Sequence, residues 1–187
     1  MATPGEVVVW GDDTYQQITK RPSGGFLKIA PGGATQGLAL GVDGIPVLWG
    51  GVGAGTLTMP IVPALTLKPG AIYTDIAIAP SFAAGIRGPN GRIDTWGRFA
   101  NLTPCGLPTR FRYKSFRALT VGGGFGLAIT NSDQTLVQWG AGPGTPPQRE
   151  GLKFVEVRAR NDYCLALSDT GDCTHGEVTT CFSRCAP

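Results

Sequence analysis

The side chains best suited to chemistry crowd the C-terminal end of the chain. Cys164, Cys173, Cys181 and Cys185 fall in the last 24 of 187 residues, and His175, the only histidine, lies among them. Thiolates and imidazoles are the usual ligands of structural zinc, and thiols in an oxidising compartment pair as disulfides. The spacings here are Cys-x8-Cys, Cys-x-His, His-x5-Cys and Cys-x3-Cys. None is the paired Cys-x2-Cys of a zinc site, so no metal is assigned. Two disulfides stapling the tail are the preferred reading, with free thiols or a metal as weaker alternatives. Cys105 stands apart, and five cysteines leave at least one thiol outside any intramolecular set. Asn101-Leu102-Thr103 is a glycosylation sequon, relevant only to a secreted chain and disfavoured by Pro104.

A catalytic set does not assemble from this composition. There is one histidine, no Gly-x-Ser-x-Gly, and the carboxylates are spread over turns with nothing to pair any two. Gly32-Gly33 and Gly122-Gly123-Gly124 lack the following Lys-Ser/Thr of a phosphate loop. The expectation is therefore a non-enzyme with no catalytic residue and no cofactor. Binding chemistry is better represented. Arg110-Phe111-Arg112-Tyr113-Lys114 alternates basic with aromatic side chains. As a strand it would set Arg110, Arg112 and Lys114 on one face and Phe111 and Tyr113 on the other. Asp12, Asp13 and Tyr15 follow Trp10-Gly11, and Arg98 and Phe99 follow Trp96-Gly97. Asp12, Asp13, Tyr15, Arg98, Phe99, Arg110, Arg112 and Lys114 are the candidate ligand contacts. For each, turn chemistry or an ordinary solvated face is the competing structural explanation.

The elements that must hold such residues are repeated. All four tryptophans, Trp10, Trp49, Trp96 and Trp139, end an apolar run and precede glycine. Between successive Trp-Gly pairs lie two further apolar strands separated by small residues, for example Phe116–Val121 and Gly126–Ile129. A turn such as Asp43-Gly44 or Asn90-Gly91 then leads into the next Trp-Gly run, and such dipeptides favour hairpins. β-branched and aromatic residues dominate the runs, so strands are expected rather than helices. Three strands and a loop in about 40 residues is the size of a propeller blade. Identical placement makes the tryptophans blade core, where aromatic burial is most stabilising. His175 occupies the Trp position of a fifth, degraded copy at Asp172–Gly176.

These residues, and in particular Trp10-Gly11-Asp12-Asp13, Gln17 and Gly33 through Leu40 to Asp43-Gly44, resemble the regulator-of-chromosome-condensation repeat. The short blades are similar to those of the propeller-type β-lactamase inhibitor protein. The resemblance covers residues 7 to about 176, and the second copy departs most, with Pro80-Ser81-Phe82 where a Gly-Gly turn belongs. It implies a β-propeller in which a strand from one chain end completes a blade begun at the other. It also implies action through protein contacts.

The reading is thus an all-β chain forming a small β-propeller of about four blades. Residues 1–176 form one domain with units at about 7–44, 45–91, 92–134 and 135–176, and residues 177–187 form a cysteine-containing tail. Val7-Val8-Val9 is expected to pair into the last blade. The expected function is a non-catalytic binding module acting through rim loops on a protein partner. A lectin, or a self-associating subunit of a larger assembly, is the alternative. Tyr15 and Phe99 have no aromatic counterparts in the other two loops, which counts against repeated sugar sites. A net charge of +3 is too small to imply nucleic acid. No apolar run is long enough to span a membrane, and no signal peptide is visible, so a cytoplasmic setting is the default. The clustered cysteines would fit an oxidising one.

Overall fold

The computed structural model describes residues 3–33, 35–51, 62–99, 103–146 and 151–169. Among them there is no α-helix, and four antiparallel sheets follow one another along the chain. The first contains β1 (Phe26–Gly32), β2 (Gln36–Gly41) and β3 (Pro46–Gly50). The second contains β4 (Tyr73–Ile78), β5 (Phe82–Arg87) and β6 (Ile93–Gly97). The third contains β7 (Phe116–Val121), β8 (Phe125–Thr130) and β9 (Leu136–Gly140). The fourth is the two-stranded pair β10 (Phe154–Arg160) and β11 (Tyr163–Ser168). This is the all-β architecture of a small propeller with about four blades. Each Trp-Gly strand closes the sheet begun by the two strands before it. The sequence-unit boundaries at 45, 92 and 135 therefore fall in the turns between second and third strands. The tail at 177–187 lies outside the described residues.

The first strand of every sheet carries a β-bulge at the same place: Phe26/Lys28, Tyr73/Asp75, Phe116/Ala118 and Phe154/Glu156. A bulge sets two residues against one and resets the alternation of side chains. Residues three apart then share a face, so Tyr73 is buried with Ile76, Phe116 with Leu119 and Phe154 with Val157. Strict alternation in β10 would instead place Val155, Val157 and Ala159 together. The bulge corrects that expectation, for Val155 is exposed and Val157 buried.

Sheets stack by burying the middle strand of one against the first strand of the next. Leu38 and Leu40 pack with Tyr73, Ile76 and Ile78. Ala84 and Ile86 pack with Phe116, Leu119 and Val121. Leu127 and Ile129 pack with Phe154 and Val157. At each junction the leading aromatic donates its backbone N–H to the turn of the preceding sheet: Tyr73 to Gly44 and Phe116 to Gly91 (2.8 Å each), and Phe154 to Gln134 (2.9 Å). The first strands β1, β4, β7 and β10 converge on a central cavity of about 390 Å³.

The tryptophans have a second task that spacing alone does not reveal. Trp49, Trp96 and Trp139 donate their indole N–H to Gln17 O (2.9 Å), Thr66 O (3.0 Å) and Cys105 O (3.2 Å). Each thereby holds the long connection that precedes its own sheet. Trp49 and Trp139 lie flat on Gly37 and Gly126, where an added Cβ would sit 2.3 and 2.1 Å from the ring. Trp96 and Trp139 are buried and Trp49 half-buried, but Trp10 is 84% exposed, which corrects its assignment to the blade core. Among the described residues no middle strand lies beside Trp10 as Gly37 and Gly126 lie beside Trp49 and Trp139.

Val7–Gly11 forms no ladder strand among the described residues. Gly5 exchanges two backbone hydrogen bonds with Phe26 (2.8 and 3.0 Å), and Val7 is buried against Phe26 and Ala39. The N-terminal segment thus sits on the first sheet and not in the last, correcting the expected closure. His175, Cys173, Cys181 and Cys185 lie outside the described residues.

Two predictions follow from these contacts. Trp139→Ala should lower the unfolding free energy by roughly 3–5 kcal/mol, whereas Trp10→Ala should change it by less than about 0.5 kcal/mol, both measured by urea denaturation. The second concerns the β8–β9 turn, where Asp133 accepts hydrogen bonds from Thr130, Thr135 and Ser132. The Thr130 hydroxyl, above all, holds its pKa down at about 2. The unfolded value is ~3.9, so this carboxylate stabilises the fold fully above that pH and loses its contribution as pH falls toward 2. Asp133→Ala should flatten that segment of the stability–pH curve.

Candidate functional site

The described surface gathers unpaired charge around Tyr113. The connection into the third sheet does not run as a strand through Arg110–Lys114, correcting the two-faced arrangement expected there. Thr109–Phe111 is a 3₁₀ turn introduced by Pro108, and Lys114 N–H continues the turning chain with a bond to Phe111 O (3.0 Å). Tyr113 follows two residues after this turn, next to its C-cap Arg112. Phe111 packs on the core beside Leu107 and anchors the turn. Tyr113 is left 75% exposed, and Arg110, Arg112 and Lys114 are exposed around it.

A fourth cation arrives from another sheet. Gly91 adopts φ +62°, and its missing side chain admits Ser115, whose hydroxyl would be 2.4 Å from an added Cβ. The Gly91 carbonyl accepts the Phe116 N–H, and Ser115 O accepts the Asn131 N–H at 2.8 Å. The β5–β6 turn is thus pressed against the entry to β7. Arg92, the next residue, brings its guanidinium to 5.5 Å from the Tyr113 ring centre. Arg112 lies at 6.0 Å from the same ring, and Arg110 covers Phe111 at 4.5 Å. Such exposed cation–π contacts stabilise by about 0.5–1 kcal/mol each, enough to order the side chains without neutralising them.

No carboxylate pairs with Arg92, Arg110, Arg112 or Lys114 among the described residues. The neighbouring cations differ. Arg87 and Lys68 both bind Asp94, at 2.9 and 2.7 Å, and Tyr73 donates its hydroxyl to the same carboxylate at 2.9 Å. Burial and that hydrogen bond raise the Tyr73 pKa well above the ordinary phenol. Asp94 therefore holds structure together, and the four cations around Tyr113 are left to face outward.

The other sequence candidates have structural work. Phe99 is buried edge-on against Phe82, with ring centres 4.8 Å apart, so it is core and not a ligand contact. Arg98 is exposed and belongs to a bridge with Pro104. Asp12 accepts from the Thr14 hydroxyl (2.7 Å). Asp13 accepts from Ile18 N (2.7 Å), Thr19 N (3.1 Å) and the Thr19 hydroxyl, which holds its pKa below the usual carboxylate range. These two, with half-buried Tyr15, build the connection ahead of the first sheet. They are not brought to the Tyr113 patch. Cys164 lies half-buried on β11, while the cysteines expected to pair with it lie outside the described residues. Buried Cys105 has its thiol pKa raised by desolvation and contacts Gly97 O at 3.0 Å.

Arg92 was not among the sequence candidates. Its signal was present nonetheless: it follows Asn90-Gly91, and the repeat puts each such turn against the start of the next sheet. Reading that register across sheets would have placed it beside residues 113–115.

Neither a protein-family model nor a curated protein sequence matches the chain. Solved structures do. The chain is similar to the CRINKLY WD40 ectodomain of the Arabidopsis thaliana receptor kinase ACR4, with TM-score 0.60 and 19% identity over 78% of this chain and 46% of that one. It is similar to the ectodomain of the Physcomitrella patens receptor kinase CR4, with TM-score 0.65 and 17% identity over 83% and 41%. It also resembles Prp20p of Saccharomyces cerevisiae, with TM-score 0.59 and 14% identity over 87% and 51%, a protein described with binding properties to Gsp1p and histones. The matched share is about half or less of each of these structures. They are β-propellers, and the likeness establishes a β-propeller fold for this chain.

Gly91 tests how the patch is built. Gly91→Ala forces a side chain into a left-handed position, at ~1–2 kcal/mol, and against Ser115. The expected result is a lower urea midpoint together with loss of the Arg92–Tyr113 approach, read as a change in Tyr113 ring chemical shifts.

Proposed function

We propose that this chain is a non-catalytic binding module that receives an acidic face of a protein partner on the patch around Tyr113. One observation carries the reading: Arg92 and Arg112 flank the exposed Tyr113 ring, Arg110 and Lys114 are exposed on the same turn, and none of the four has a carboxylate partner among the described residues. Arginine and tyrosine are the residues most enriched at the energetic centres of protein interfaces. The patch rests on two sheets held by backbone hydrogen bonds, so little order has to be imposed on binding. Protein binding by Prp20p gives a precedent for the fold. We also read the blades as the short-repeat form, with one propeller domain to residue 176 and a separate tail. The support is that consecutive sheets begin at Phe26, Tyr73, Phe116 and Phe154. No helix among the described residues is long and apolar enough to cross a membrane.

The test is affinity capture from the native host with wild-type protein and an Arg92→Glu/Arg112→Glu variant, followed by mass spectrometry. An acidic protein recovered by wild type should fall at least about tenfold with the variant, as loss of central charged contacts implies. It should also be released by salt. A Lys20→Glu/Arg21→Glu variant has the same net charge on the first connection and should bind as wild type. Equal recovery by all three proteins would sink the reading.

A further inference from the structure

The first strands share a pattern of small residues that the last of them breaks. Four positions after the leading aromatic stand Ala30, Ala77 and Thr120 in the first three sheets, and six positions after it Gly32, Ala79 and Gly122. Small side chains at these places leave the central cavity of about 390 Å³ open between the strands. The fourth sheet sets Arg158 and Arg160 at the same two positions. Two residues apart and beyond the bulge, they lie on one face of β10. Both line the cavity, together with Lys28 of β1. No carboxylate lines it among the described residues.

Two of these three cations are already matched from outside the cavity wall. Lys28 pairs with Asp75. Arg158 pairs with Glu156 at 2.7 Å and donates to Val157 O at 2.9 Å. Both members of the second pair are exposed, so that pair is weak and exchanges readily for a better acceptor. The Arg160 side chain makes no ion pair among the described residues. Its place is fixed by the backbone. Asn161 turns the chain with φ 45°, and its carbonyl accepts the Gly123 N–H at 2.9 Å. The β10–β11 and β7–β8 turns, which both line the cavity, are thereby tied to each other.

We propose that the central cavity binds a small organic monocarboxylate with an apolar body. Arg160, joined by Arg158, takes the carboxylate, and the methyl groups of Ala30, Ala77 and Ala79 receive the body. A guanidinium presents a planar fork that matches a carboxylate with two parallel hydrogen bonds. The volume falls in the ~300–1,000 Å³ range of small-molecule sites, which are likewise mostly apolar with a few placed polar groups. One unmatched positive charge in an apolar wall suits a monoanion. A phosphate dianion would bring in a second charge with nothing left to pair it, at a desolvation cost. This inference does not rest on the Tyr113 patch.

Titration of the full chain with octanoate tests it, followed by calorimetry and by NMR of the alanine methyls. Octanoate should bind with a Kd of about 1 mM or lower and shift the methyl resonances of Ala30, Ala77 and Ala79. Octanol carries the body without the charge, while acetate and inorganic phosphate carry charge without the body. Each should bind at least about tenfold more weakly than octanoate. Arg160→Gln should weaken octanoate binding at least about tenfold, and Arg160→Lys, which keeps the charge and loses the fork, should weaken it less. Arg160 is exposed, and Arg158→Gln repeats the test should Arg160→Gln unfold. No octanoate binding, octanol or phosphate bound as tightly as octanoate, shifts confined to residues outside the cavity, or undiminished binding by Arg160→Gln would each overturn the proposal.

Discussion

The structure depends on one repeated joint. A turn residue in the left-handed region turns its carbonyl toward the next sheet and receives the N–H of that sheet's leading aromatic. Gly44, Gly91 and Gln134 supply the carbonyls, with φ of 76°, 62° and 57°. Glycine adopts this conformation without strain, and Gln134 tolerates it in a turn capped by Asp133. The bond fixes where each new sheet begins. The bulge that follows then aims the aromatic and the aliphatic residue three positions later at the same neighbour. Without the joint, the alternation of each strand would remain, but nothing would set which face meets the preceding sheet.

Two other sets of contacts make the stack cooperative. Trp49, Trp96 and Trp139 each tie the connection that precedes their sheet to the strand that ends it, so loops of variable sequence are held at a fixed point. Asp75, buried on β4, binds across two junctions. Its carboxylate pairs with Lys28 Nζ of the first sheet and accepts the Leu119 N–H of the third at 3.1 Å. The Lys28 side chain keeps 38% of its surface exposed, so solvent screens that pair, and the buried Leu119 N–H is the contact that depends more on Asp75. Thr120 continues the inner ring by accepting the Ala159 N–H at 3.0 Å. The first strands are thereby linked through polar side chains along the cavity, β1 to β4 by an ion pair and β4 to β7 and β7 to β10 by side chain–backbone bonds, in addition to their apolar contacts.

The Tyr113 patch is a product of the same joint. Arg92 and Tyr113 are separated in sequence by the whole of β6 and a long connection, and they meet because Gly91 accepts the Phe116 N–H. The surrounding acids do not reach the patch, since Asp94 is occupied by Arg87, Lys68 and Tyr73.

Much of the fold was legible in the sequence. The strands at Pro46–Gly50, Ile93–Gly97 and Leu136–Gly140, the four-sheet count and the repeat order follow from periodicity, turn chemistry and the recurrence of Trp-Gly, all of which are local. The burial of Trp96 and Trp139 followed from their repeated placement. Local signals could not separate Trp10 from its three copies, because what buries a tryptophan is the middle strand beside it, and no such strand lies beside Trp10 among the described residues. They made Phe99 a ligand candidate, because a loop position gives no sign that Phe82 waits across the sheet. They read Arg110–Lys114 as a strand, because alternation cannot see the anchoring of Phe111 in the core. The sequence by itself determined the elements and their order. Only the tertiary structure decided which side chains are free to act, because exposure is set by the neighbouring sheet and not by the residue or its own strand.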